Sequence, residues 1–189
     1  GLTTENADPS PCHHSTAGHG ECSQGSAEMG AIMVTAIVGA NWGDEGKGRV
    51  IDLLAGQADV VVRYQGGNNA GHTVVTEQGK FILNLIPSGI LHSGVTCVLG
   101  DGMVVDLEHL ENEIQKLWEK DVAVSPKNLK ISTRATISMP WHRIQEELEE
   151  DRLARSGAAF GSTRRGIAYA YSDKYRKKTL RMGDLLRLD

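Results

Sequence analysis

Six consecutive residues, Gly43-Asp44-Glu45-Gly46-Lys47-Gly48, put an unhindered backbone, two carboxylates and an ammonium into one short stretch. Glycines let a loop bring its N–H groups against an anion, and the positive end of a following helix strengthens that field. A strand that ends here and feeds a helix would therefore cradle phosphate, with Lys47 neutralising its charge. Asp44 is the odd member. A carboxylate beside bound phosphate repels it unless a divalent cation lies between, so Asp44 is either a metal ligand or a base. A structural turn whose acids cap the helix explains the same residues without any ligand. A second glycine-rich run, Gln65-Gly-Gly-Asn-Asn-Ala-Gly71, leads directly into His72. Taken alone, His72 reads as a loop histidine and Asn68 and Asn69 as turn formers.

The elements that must hold these loops follow from the apolar pattern. Met33–Val38 is a continuous apolar run ending at Gly39 and predicts a buried strand. Val50, Ile51, Leu53 and Leu54 lie at near-helical spacing and predict a helix stopping at Gly56. Ala58–Tyr64 is short and β-branched, a second strand that empties into the second loop. Thr73–Thr76 and Lys80–Leu83 flank Gln78-Gly79 and predict a hairpin; Pro87-Ser88-Gly89 breaks the chain, and Val95–Leu99 supplies another strand. Asp106 can cap a helix on which Leu107, Leu110, Ile114, Leu117 and Trp118 form one apolar stripe with Glu and Lys opposite. Leu129–Ile131 predicts a short strand. Pro140 opens a second amphipathic helix, with Trp141, Ile144 and Leu148 on its apolar side and a strongly acidic outer face.

The sum is an α/β fold: a mostly parallel central sheet, mixed through the hairpin, with flanking helices and a P-loop-NTPase-like strand, loop and helix at its start. The first loop is nonetheless not a Walker A sequence. Six residues separate Gly39 from Gly46 where that pattern has four, and Gly48 stands where a Ser or Thr would hold Mg²⁺.

The string Asn41-Trp-Gly-Asp-Glu-Gly-Lys-Gly48, followed by Val62-Arg-Tyr-Gln-Gly-Gly-Asn-Asn-Ala-Gly-His-Thr73, strongly resembles adenylosuccinate synthetase, the IMP–aspartate ligase family. Leu85-Ile-Pro-Ser-Gly-Ile90, Phe160-Gly-Ser-Thr-Arg-Arg-Gly-Ile167 and Arg181-Met-Gly-Asp-Leu185 match in the same order, so the resemblance runs from about Met33 to the last residue. It implies a cytoplasmic ligase of purine (AMP) biosynthesis, acting as a homodimer on IMP, GTP and L-aspartate with Mg²⁺. The γ-phosphoryl of GTP passes to O6 of IMP, and the aspartate amine then displaces it from 6-phosphoryl-IMP. By the same resemblance Asp44 takes the N1 proton of IMP and binds Mg²⁺, and His72 is the acid beside the transferring phosphoryl. Gly43, Asp44, Glu45, Gly46, Lys47, Gly48 and Arg49, with Gly71, His72 and Thr73, would face GTP. The Gly71 carbonyl would be a further Mg²⁺ ligand. Asn69, Ala70, Thr163 and Lys177 would face IMP.

Two departures from the family pattern bear on the site. Ala168-Tyr169 stands where members have Gly or Ala and then Pro, which removes a rigid residue beside the IMP loop. Lys177 stands where members place an Arg that reaches the partner protomer's IMP phosphate; lysine keeps the charge and loses the bidentate fork. Members are also more than twice as long, and their later part supplies the guanine-recognising segment, the aspartate loop and a further IMP-contacting Arg. Residues 29–189 are therefore expected to be the N-terminal part of the synthetase domain, truncated at its C-terminal side and inactive by itself. A short protein that keeps nucleotide binding or dimerisation without catalysis is the alternative.

Composition narrows the partners. A net charge of −4 disfavours a general nucleic-acid binder, and no apolar stretch approaches the ~20 residues of a membrane span. Three cysteines make no disulfide framework, which fits a reducing compartment. Residues 1–28 contain a single Leu and no Val, Ile, Phe, Trp or Tyr, and predict a disordered leader or added extension. Cys12, His13, His14, His19 and Cys22 within it match no common zinc spacing.

Overall fold

The computed structural model describes residues 33–39 and 46–187. The expectations for residues 1–28, and those for Gly43, Asp44 and Glu45, lie outside the described residues. The chain divides into two units, 1–36 and 37–189.

Parallel pairing builds the centre of the second unit. Strand β1 (Val60–Gly66) lies beside β4 (Thr96–Val105), and β4 carries two short strands on its other side, β5 (Leu129–Ile131) and β6 (Thr136–Ile137). The register of β1 against β4 slips between Arg63 and Gln65, where the backbones crowd together. A Cβ on Gly102 would stand 2.2 Å from the Tyr64 carbonyl oxygen, so only glycine fits this crossing. Strands β2 (His72–Thr76) and β3 (Gly79–Leu83) form the hairpin with Thr76 opposite Gly79, but as a separate two-stranded sheet. Among the described residues the strands that pair with β4 all run parallel to it rather than being mixed through the hairpin, because the hairpin finds its hydrogen bonds within itself; Thr136 makes one isolated antiparallel bridge, to Arg181.

Helices α1 (Lys47–Ala55), α2 (Leu107–Trp118), α3 (Pro140–Arg155) and α4 (Ile167–Tyr175) complete the frame. The main core gathers Phe81, Leu83, Leu85, Ile86, Leu99, Met103, Val105, Leu110, Leu117 and Ala135 between hairpin, sheet and α2. Among the described residues no helix is long and apolar enough to cross a membrane.

Three expectations need correction. Residues 33–39 carry neither helix nor strand, and Met33, Val34 and Val38 are exposed. An apolar run becomes a strand only when a neighbour completes its ladder, and among the described residues no strand pairing includes these positions. Helix α1 forms where the spacing predicts it and stops at Gly56, with Val50, Leu53 and Leu54 at the surface and only Ala55 buried. On α2, Leu107 and Trp118 are exposed while Glu113 turns inward. On α3 the two faces are exchanged. Trp141, Ile144 and Leu148 are 45%, 54% and 66% exposed, whereas His142 and Glu150 are buried. Polar pairing decides this orientation: His142 meets Asp173 of α4 at 3.3 Å, and Glu150 accepts backbone N–H groups from the chain that follows α3.

Candidate functional site

From Gly46 onward the first loop is described. Gly46 takes a left-handed conformation (φ 72°), and its carbonyl accepts the Arg49 and Val50 N–H groups at 3.0 and 3.3 Å. Both Lys47 and Gly48 then belong to the first turn of α1, at the positive end of its dipole. Gly48 lies against the ring of His72, close enough that a Cβ there would stand 2.5 Å from Nδ1. The two glycine-rich stretches thus meet at this pair. One turn further along α1, Asp52 Oδ2 lies 2.6 Å from His72 Nε2. A carboxylate offers only acceptors, so Nε2 carries the hydrogen and Nδ1 is left facing Gly48. The other Asp52 oxygen is buried without a hydrogen-bond partner among the described residues.

Anchors from four elements fix the second loop. Arg63 of β1 donates from Nη2 to the Gly67 carbonyl at 2.9 Å and from Nη1 to the Asn84 carbonyl. Burial pulls the guanidinium below its ordinary value, against the opposing pull of Glu113 and Tyr171. The Tyr171 hydroxyl of α4 accepts the Gly66 N–H at 2.7 Å and donates to the Gly102 carbonyl at 2.8 Å, spanning the register slip. Burial pushes that phenol up. Asn68 is buried and donates to Asp106 at 3.2 Å; Asp106 also caps α2 by accepting the His109 N–H at 3.1 Å. Asn84 donates to the Ala70 carbonyl at 3.2 Å. Between these anchors Asn69, Ala70 and Gly71 remain exposed, and Thr73 follows on β2.

Thr163 sits in the segment that joins α3 to α4, exposed beside a held backbone. Glu150 accepts from Gly161 N at 2.6 Å and Ser162 N at 3.3 Å, and Glu146 accepts from Gly166 N. Arg164, in a left-handed conformation (φ 54°), pairs with Asp151 at 2.9 Å. Lys177 lies at the other end of α4. The start of that helix packs on Gly67 through Ile167, and its end reaches Asp101, whose carbonyl accepts from Lys174 Nζ at 2.6 Å. Thr163 and Lys177 are therefore not brought together.

Among the described residues no group of three His, Cys, Asp or Glu side chains is placed to hold a metal ion. Mg²⁺ draws on few protein oxygens and completes its shell with phosphate and water. The Gly71 carbonyl and the Asp44 carboxylate are donors of that type. Sequence reasoning missed Asp52, Arg63, Asn84, Glu113 and Glu150. Only Asp52 carried a usable signal, its placement four residues after Gly48 on the same helical face.

Residues 36–189 match the family model described as adenylosuccinate synthetase. The adenylosuccinate synthetase of Myxococcus xanthus (strain DK1622) is 50% identical over 153 residues, covering 81% of this chain and 35% of its own length. That of Desulforudis audaxviator (strain MP104C) is 54% identical over 155 residues, 82% of this chain and 35% of its own. The structure of fully ligated adenylosuccinate synthetase from Plasmodium falciparum superposes with a TM-score of 0.70 at 38% identity, over 78% of this chain and 34% of that one. The chain thus spans about a third of the length of the curated relatives it matches.

Proposed function

Because this chain belongs to the adenylosuccinate synthetase family, we propose that it carries the phosphate-handling and IMP-handling part of the GTP-dependent ligation of IMP and L-aspartate to adenylosuccinate. The observation that carries this reading is the seating of His72 against Gly48 with its Nε2 on Asp52. It puts an imidazole at the helix N-terminus where a transferring phosphoryl group would gather charge.

In this reading Asp44 takes the N1 proton of IMP, which leaves O6 nucleophilic toward the γ-phosphoryl of GTP. With its Nε2–H held by Asp52, His72 acts as the acid through a second proton on Nδ1, and in that form it stabilises the charge that develops on the phosphoryl oxygens. The stretch from Gly43 to Arg49 would hold the phosphates through backbone N–H groups and the Lys47 ammonium, and Gly71 and Thr73 would also face GTP. Mg²⁺, held by Asp44 and the Gly71 carbonyl, would neutralise the phosphate charge. Asn69, Ala70 and Thr163 face IMP. The 3.2 Å bond from Asn84 and the two bonds from Glu150 keep those segments in place.

Lys177 belongs to a homodimer in the same reading. It occupies the end of α4 remote from the second loop, so a partner protomer's IMP phosphate is its natural target. A cytoplasmic setting fits Cys97, a free and buried thiol.

The test is calorimetric titration of the 189-residue chain with IMP and with Mg²⁺·GDP, beside a turnover assay containing IMP, GTP, aspartate and Mg²⁺. Binding of IMP without turnover is expected, since the guanine and aspartate contacts of the family lie in the two thirds this chain does not span. Absence of IMP binding at millimolar concentration would refute the assignment of Asn69, Ala70 and Thr163. Adenylosuccinate formation would refute the expected inactivity.

A further inference from the structure

Asn84 leaves strand β3 with all four of its polar groups engaged. Its N–H donates to Glu113 Oε1 at 2.9 Å, its carbonyl accepts from Arg63, its Oδ1 faces His109 Nε2 at 3.1 Å, and its Nδ2 donates to the Ala70 carbonyl at 3.2 Å. The last bond is the one that reaches the candidate site.

The orientation of the carboxamide is set from α2. His109 Nε2 faces two acceptors, Asn84 Oδ1 and, at 3.8 Å, Glu113 Oε2. A nitrogen between two acceptors carries the hydrogen, so His109 donates to Asn84 Oδ1 and the amide must turn its NH₂ toward Ala70. Glu113 is itself locked, because its carboxylate takes the successive N–H groups of Asn84, Leu85 and Ile86. The peptide unit is planar, so fixing the Ala70 carbonyl also fixes the Gly71 N–H. Gly71 permits this approach: a Cβ there would stand 3.0 Å from Asn84 Nδ2.

We propose that Asn84 is a positioning residue of the site, its carboxamide oriented by His109 and Glu113 and setting the Ala70–Gly71 peptide, and through it the neighbouring Asn69 and His72. The inference rests on the reading of residues 69–73 as nucleotide-facing. Residues 84, 109 and 113 lie on β3's exit and on α2, so the device ties the loop to the core of the sheet rather than to the ligand.

Backbone ¹⁵N order parameters of Ala70–His72 in the ligand-free chain test the positioning directly, with IMP affinity and thermal midpoint measured beside them. The wild type is expected near ~0.85 and Asn84→Ala below ~0.6 in this segment, while β4 keeps its values. IMP binding should weaken by about tenfold, the worth of one hydrogen bond. His109→Ala should fall between the two, and His109→Gln should restore order because its NH₂ can donate to Asn84 Oδ1. Wild-type order and affinity in Asn84→Ala would overturn the proposal, as would a loss of order spread evenly through β4 and α2. If the wild type binds no IMP, the nucleotide reading fails, and the order parameters still decide whether Asn84 positions the loop.

Discussion

Replacing Glu113 by alanine removes the acceptor of three successive backbone N–H groups, those of Asn84, Leu85 and Ile86, at 2.9, 2.9 and 3.0 Å. Glu113 is only 4% exposed, and Leu85 and Ile86 are buried with it. Each buried N–H left unpaired costs about 1–3 kcal/mol. The Asn84 N–H is half-exposed and can rehydrate. The other two therefore set the loss, at about 3 kcal/mol when some water enters through the open groove lined by His109, Asn112 and Glu113. For a folded unit of this size about 2–4 °C is lost per kcal/mol, so Glu113→Ala should lower Tm by roughly 6–12 °C. Glu113→Gln keeps one carbonyl acceptor but turns an NH₂ toward the remaining donors and loses the charge. A drop of roughly 3–8 °C is expected for it, from a loss of about 1.5–2 kcal/mol. Thermal and urea unfolding followed by far-ultraviolet circular dichroism measure both. Should alanine leave Tm within about 2 °C of the wild type, the turn after β3 does not depend on this carboxylate and the argument fails. If the alanine variant does not fold, the glutamine variant keeps the test open.

Gly48→Ala should push the His72 ring off Asp52, since the new Cβ would stand 2.5 Å from Nδ1; helix propensity offsets about 1 kcal/mol, so Tm should hardly move. Loss of the Nε2–H tautomer signature in imidazole ¹⁵N spectra checks this, and unchanged spectra would contradict it. Lys177 holds a left-handed conformation (φ 60°) just past α4, where its N–H bonds the Lys174 carbonyl and the Lys178 N–H bonds that of Asp173. Lys177→Gly should therefore raise stability by about 1 kcal/mol while weakening the IMP binding proposed for a homodimer; calorimetry for each quantity decides, and a lowered Tm would refute the strain. Burial pushes the Cys97 thiol up to about 12 from an ordinary 9.0. At pH 8 its thiolate fraction is then roughly one in ten thousand rather than one in ten, so iodoacetamide should spare Cys97 until the chain unfolds, as peptide mass mapping would reveal. The linked stability is fully present below pH 9.0 and is lost as pH climbs toward about 12, because in that window only the unfolded thiol gives up its proton. A native Cys97 that labels at the rate of a free thiol would contradict that burial.

What the sequence by itself determined was everything carried by neighbours along the chain. Apolar spacing placed α1, β1, the hairpin, α2 and β5 close to their bounds, and Asp106 was legible as the cap of α2 because a cap needs only the next three residues. The two glycine-rich loops and the family resemblance were also local strings. Tertiary structure alone decided which of those features found partners. Periodicity locates an apolar stripe without saying whether anything covers it, so Trp141, Ile144 and Leu148 on α3 read as the inner face and lie at the surface. A glutamate on a helix reads as solvated. Glu113 and Glu150 are buried because distant backbone N–H groups, unsatisfied in their own turns, come to rest against them. The same holds at the site. His72 was visible as a residue, but the Asp52 carboxylate that fixes its tautomer and the Asn84 amide that holds the preceding peptide arrive from other elements, and a hydrogen bond between strangers in sequence leaves no trace in either one's neighbourhood.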